Sequence, residues 1–207
     1  MVKLPWTGHI ISIQPRIRLT RSFDERYHSY LGYSLLIDGT INNEVCEFSI
    51  GVGKVAHQKH QFQIGDDVSG ESFPVADKQK EPVEFYKTSK LKVISRSFIE
   101  TEPPPWHGVP VELDLYRSRG HRRLSARTYG SKCWSCVWGC RMPVTIIVDN
   151  WNPDEKLYRF ETFCYGPKSC SFYKSGPRRK VTGRRGMVWE EQDWVDEESI
   201  SHRGWEE

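Results

Sequence analysis

Along the first half of the chain, apolar residues recur at every second position, the spacing of strands with one buried face. Ile11, Ile13, Ile17 and Leu19 share one parity in GHIISIQPRIRL, and Pro15 among them marks an edge or a bulge, where no ladder N–H is needed. Leu31, Tyr33, Leu35 and Ile37 repeat the pattern, with Asp38-Gly39 supplying a turn. Cys46, Phe48, Ile50 and Val52 predict a third strand. FQIGDDVSGESFPV predicts a fourth, entered through Gly65-Asp66, and YKTSKLKVISRS a fifth, with Leu91 and Val93 on one side. No segment carries a convincing apolar stripe of period 3.6, so a mainly β protein is expected.

The pattern changes after residue 99. ETEPPPWHGVP contains three consecutive prolines, which favour an extended segment over helix or sheet. Beyond it, MPVTIIV and KLYRFETF read as two strands flanking DNWNPDE, whose Asn-Pro and acidic residues signal a turn. The expected organisation is a five-stranded barrel over 1–99, a Pro-rich then basic connector over 100–128, a cysteine-rich hairpin module over 129–186 and an acidic tail over 187–207.

FQIGDDVSG, a Gly-Asp followed by an apolar strand after a basic loop, resembles the start of the fourth strand in S1-like members of the OB-fold. Five short strands with the longer connection after the third fit the same arrangement. The resemblance covers about the first half of the chain. It implies a Greek-key barrel whose open face often binds oligonucleotides.

The chain has six cysteines, and CWSCVWGC holds three of them in eight positions. Cys133 and Cys136 are spaced C-x2-C, Cys140 follows after three residues, and Cys164 and Cys170 lie beyond the hairpin. A tight C-x2-C turn aims two sulfurs at one point, and a second pair across a hairpin completes a tetrahedron of soft ligands suited to Zn²⁺. Four of these five would bind a structural zinc in a zinc-ribbon-like module. Cys133, Cys136, Cys164 and Cys170 are preferred, although Cys140 can replace either of the first pair. An iron–sulfur cluster and metal-free packed or redox-active thiols are the alternatives. Cys46, within a predicted strand, reads as a small buried hydrophobe.

Composition changes the picture mainly through charge. The net charge is +3, yet Met187–Glu207 holds eight acidic residues against Arg203 alone, which leaves +10 for residues 1–186. Arg117, Arg119, Arg122 and Arg123 in one run, and Lys174, Arg178, Arg179, Lys180, Arg184 and Arg185 in another, are candidate phosphate contacts; neither run contains an acid. Tyr27, Tyr30, Trp134 and Trp138 are candidate stacking platforms. The bland alternative is a solvated charged face with its rings in the core. The tail, with acids around Trp189, Trp194 and Val195, reads either as a cover lying on the basic loop before it or as a solubilising end.

No complete catalytic constellation is visible. His57 and His60 read as an exposed pair in a basic loop, and Glu161 and Asp149 flank the hairpin without visible partners. The expected function is non-catalytic binding of single-stranded or structured nucleic acid, DNA or RNA. The alternatives are a protein-assembly adaptor docking through the zinc hairpin and tail, and a thiol-dependent enzyme with Cys140 as nucleophile. No apolar run approaches the ~20 residues of a membrane span and no signal peptide is recognised, so an intracellular, cytoplasmic protein without a membrane partner is expected.

Overall fold

The computed structural model describes residues 2–23, 25–97 and 104–206. Strand accounts for 48% of the chain and helix for 16%, so the mainly β expectation holds. The first half runs β1 (Leu4–Arg21), β2 (Arg26–Ile41), β3 (Glu44–Val52), helix α1 (Lys54–His60), β4 (Asp67–Pro74) and β5 (Phe85–Ser95). β2 lies antiparallel along β1 and β3 antiparallel along β2. β5 meets β3 in parallel at Ile50 and Phe85 and pairs antiparallel with β4, which returns to Leu4–His9 of β1. The five strands therefore close a ring in the order β1-β2-β3-β5-β4.

All five predicted strands are present, but two local readings are corrected. A bulge between Ile10 and Ser12 shifts the pairing of β1, so Ile10 rather than Ile11 joins Ile13 and Ile17 in the core. Pro15 sits where the ladder to β4 has ended and the one to β7 (Gly139–Asp149) has not begun, so its missing N–H costs nothing there. Gly39 is not in a turn. A side-chain carbon on it would lie 2.2 Å from the Thr7 carbonyl oxygen, so it marks a close crossing of β1 and β2. The chain reverses instead at Asn42 and Asn43, with φ of 50° and 69°, left-handed values that Asn tolerates. Cys46 keeps the parity of Phe48 but lies near that reversal and is exposed, contrary to its reading as a buried residue.

The expected boundary near residue 99, with Pro103 of the proline run, lies outside the described residues. The rest comprises α2 (Leu113–Arg119), β6 (Arg122–Arg123), α3 (Ala126–Thr128) running into a wide turn at Tyr129–Cys133, the hairpin β7 and β8 (Asn152–Cys164), β9 (Lys180–Thr182), β10 (Val188–Glu190) and α4 (Trp194–Ser199). In its described part, the 100–128 segment is thus not a plain connector. Leu113 and Tyr116 are buried, and the Tyr116 hydroxyl donates to the Val137 carbonyl at 2.6 Å.

The hairpin is present where the sequence predicts it, and its strands join the sheet of the ring. Val144–Ile146 of β7 runs parallel to Leu19–Arg21 of β1, and β8 and β6 follow, giving one eight-stranded sheet. One core continues through both halves, from Ile13, Leu35 and Phe48 to Val144, Phe163 and Tyr165. β1 is the seam, because it is long enough to close the ring at one end and carry the extension at the other. Among the described residues no helix is long and apolar enough to cross a membrane.

Candidate functional site

Two places gather the residues with usable chemistry. The first is a groove of about 240 Å³ over the outer faces of β1, β2 and β3, with Ser34, Leu36 and Ser49 on its floor. Tyr129, Trp134 and Arg141 line it from the carboxy-terminal half, and Pro82 from the loop between β4 and β5. β1 holds this wall in place. Ser12 Oγ donates to the Trp134 carbonyl at 2.6 Å, and Gln14 Nε2 donates to the carbonyls of Cys133 and Cys136 at 2.8 and 2.9 Å. The Tyr129 hydroxyl donates to Gln14 Oε1 at 2.7 Å, which orients that amide. Trp134 is 39% exposed, and the exposed Arg141 guanidinium stacks 3.8 Å from the centre of the Phe160 ring. Continuing along the same strand faces, Asp38 and Glu47 are exposed, so the groove has a basic end and an acidic end.

The second place is a cavity of about 10 Å³ at the base of the hairpin, lined by Cys133, Cys136, Cys164 and Cys170 under Trp106 and Trp138. Register puts Gly139 opposite Cys164, which brings the C-x2-C turn beside the end of β8. All four are free thiols. Burial pushes the Cys133 and Cys136 thiols up to about 12, and the Cys164 thiol also rises. Among the described residues no three His, Cys, Asp or Glu side chains already stand in an arrangement that holds a metal ion. Cys140 is elsewhere: fully buried in β7, its thiol donates to the Pro15 carbonyl at 3.3 Å, and burial raises its pKa. That setting suits a packed thiol, not a nucleophile.

The ten basic candidates divide by environment. Arg122, Arg123 and Arg179 are buried, so they are committed inside the protein. Arg122 donates to the Pro167 carbonyl at 2.7 Å and lies 3.7 Å above the Tyr173 ring. Arg123 bonds Asp193 and Asp196 at 2.6 and 2.8 Å. Arg179 meets Glu161 and the Thr162 carbonyl. Arg119 donates to the Tyr165 carbonyl at 2.9 Å over Trp138, while Arg178 and Arg184 pair with Asp193 and Asp149. Arg117, Lys174, Lys180 and Arg185 are exposed. Of the candidate rings, Tyr27 is 69% exposed, whereas Tyr30 and Trp138 are partly buried.

The acidic tail is part of this arrangement. β10 pairs with β9, Val195 is buried, and Glu191 reaches Arg21 at 3.4 Å and Arg26 at 3.1 Å. Its carboxylates lie on both basic runs, through Arg123 and Arg178. Glu161, expected to lack partners, sits among Arg21, Arg159 and Arg179. Burial alone pushes its carboxyl up, but Arg179, Arg21 and Arg159 together hold it below the usual carboxylate range. Beside it, burial with Arg26 and Arg21 lowers His28 to about 4, and burial with His28 holds His121 well below the ordinary histidine value.

The histidine pair is also corrected. Its loop forms α1, where His57 is 1% exposed, with Nε2 3.1 Å from the Pro110 carbonyl oxygen and its ring 4.0 Å from that of Tyr33. Sequence reasoning missed Gln14, Tyr129 and Arg141 as groove residues. A Tyr or Arg next to the cysteine motif was the available signal, and only the pairing of β7 alongside β1 gives it meaning. Fold and groove thus define a mainly β chain whose closed ring of strands is extended by a hairpin that overhangs its outer face. No known family, no curated protein and no solved structure matches this chain.

Proposed function

We propose that the protein is a non-catalytic nucleic-acid-binding protein of OB-like architecture that takes a single strand into the groove over β1, β2 and β3. The observation that carries this reading is the groove itself: an exposed indole, Trp134, and a guanidinium, Arg141, overhang the outer face of the second and third strands of a five-stranded ring. In OB-folds that face, with the loop between the fourth and fifth strands, receives oligonucleotides. An aromatic face stacks any base, and arginine meets phosphate oxygens in a fixed fork. The acidic end at Asp38 and Glu47 repels a polyanion, so the strand is held toward Arg141. Arg117, Lys174, Lys180 and Arg185 remain the exposed cations of the two basic runs that can add phosphate contacts.

The test is the affinity of a fluorescent single-stranded oligonucleotide across a salt series. Trp134→Ala should weaken binding by about 1–3 kcal/mol, the worth of one stacked base. Arg141→Ala should weaken it on all sequences and lower the salt slope by about one. Binding that neither change affects overturns the reading. A second reading, a protein-assembly adaptor, is favoured by Phe23 and the 58% exposed Trp194, which line a cavity of about 430 Å³ beside the buried Arg21. It would show as a protein partner lost on Trp194→Ala with oligonucleotide binding absent.

A further inference from the structure

We propose that Cys133, Cys136, Cys164 and Cys170 bind one structural zinc ion, a site independent of whether the groove takes nucleic acid. Two turns bring the sulfurs to one cavity. In the first, the Cys136 N–H donates to the Cys133 carbonyl at 3.2 Å and the Gly139 N–H to the Cys136 carbonyl at 2.9 Å. In the second, the Cys170 N–H donates to the Pro167 carbonyl at 3.3 Å. The shared cavity, about 10 Å³, is no larger than the space one water needs, so it accepts an ion and no organic ligand.

One backbone donor already faces a sulfur of the set. The Gly166 N–H donates to Cys164 Sγ at 3.3 Å. A neutral thiol is a weak acceptor, whereas a metal-bound thiolate makes charge-assisted bonds with such donors. The Arg122 guanidinium, held by the Pro167 carbonyl and the Tyr173 ring that lines the cavity, sets a positive charge near a centre that would otherwise carry excess negative charge. Pro105, Trp106, Phe172 and Tyr173 wall the cavity with carbon and exclude competing oxygen ligands.

All four cysteines line this one cavity, although among the described residues no three such side chains already stand in a metal-holding arrangement. Four thiolates around one ion would make an S₄ ligand set, the kind typical of structural zinc. On binding, each S–H gives its proton to solvent and each sulfur donates a pair to the metal, so no oxidant or reductant is required. Cys140 and Cys46 take no part. Because Gln14 clasps the carbonyls of Cys133 and Cys136, the ion would also stiffen the turn that carries Trp134.

Elemental analysis of the full chain, purified reduced and without chelator, tests this directly. The expected result is one zinc per chain, lost in Cys133→Ser, Cys136→Ser, Cys164→Ser and Cys170→Ser and retained in Cys46→Ser and Cys140→Ala. Since a ligand variant can fail to fold, the unmutated chain is also exchanged with Co²⁺, which should give the intense sulfur-to-cobalt charge-transfer band and visible spectrum of a tetrahedral thiolate site. A folded, reduced chain without metal, a cobalt spectrum without thiolate ligation, or iron with labile sulfide in place of zinc would overturn the assignment.

Discussion

In the ring, Ile10, Ile13, Leu35, Ile50 and Val68 are all fully enclosed, and the strands are held by interdigitated carbon. In the extension, the carbon of Val144, Phe163 and Tyr165 is joined at comparable depth by a charge cluster that reaches back to Arg21 of β1 and Arg26 of β2. Glu161 lies among Arg21, Arg159 and Arg179, Glu191 against Arg21 and Arg26, and Arg123, 1% exposed, against Asp193 and Asp196. The two halves share a sheet and differ in what they tolerate. An apolar core loses stability in proportion to the volume removed, whereas a buried charge cluster fails when one member leaves the rest uncompensated.

The largest expected effect of breaking that contrast is at Glu161. Glu161→Ala leaves Arg21 and Arg179 facing one another in the interior and should cost about 3–5 kcal/mol, read as a fall in the denaturant midpoint. Leu35→Ala in the ring should cost about 3 kcal/mol, but Leu35→Met should cost under about 1.5 kcal/mol, because the ring asks only for volume. A cluster that depends on pairing should show the opposite pattern: the near-isosteric Glu161→Gln should recover little of the loss.

Acid should next weaken the seam where ring and extension meet, between His28 of β2 and His121. His28 and His121, with ring centroids 4.7 Å apart, are neutral in the folded chain, and Arg21, Arg26 and Glu161 face them. Their folded pKa lies below the unfolded value, so their contribution is complete above about pH 6.5 and is lost as pH falls toward 4, the unfolded chain taking up protons first. For His28 alone the loss at pH 5 is about 2 kcal/mol. The denaturant midpoint should fall between pH 7 and 5, with a shallower fall in His28→Gln. The smallest effect belongs to the surface: Arg178→Ala breaks an exposed pair with Asp193 and should leave the melting curve unchanged.

The same contrast explains what was legible in the sequence. Period-two alternation reads carbon facing carbon, so it found every strand of the ring and both arms of the hairpin. It missed the Ile10–Ser12 bulge, because one extra residue leaves no compositional trace, and α1, where seven residues bury little more than His57. The basic runs read as solvated surface or polyanion contacts and the acidic tail as a cover on them or a solubilising end, because nothing in the spacing reveals which residues pair, such as Arg123 with Asp196 or Arg179 with Glu161. The cysteine turn was visible, but its neighbour Trp134 became a groove wall only through the clasp from Ser12 and Gln14.

Where a nucleic acid touches the chain is the most direct test of this account. Photo-cross-linking of a single-stranded oligonucleotide, followed by peptide mapping, should place the adducts on the Tyr129–Trp134 turn, on Arg141 and on the β2 segment around Ser34 and Leu36. Adducts confined to residues 174–185, or none at all, would contradict it.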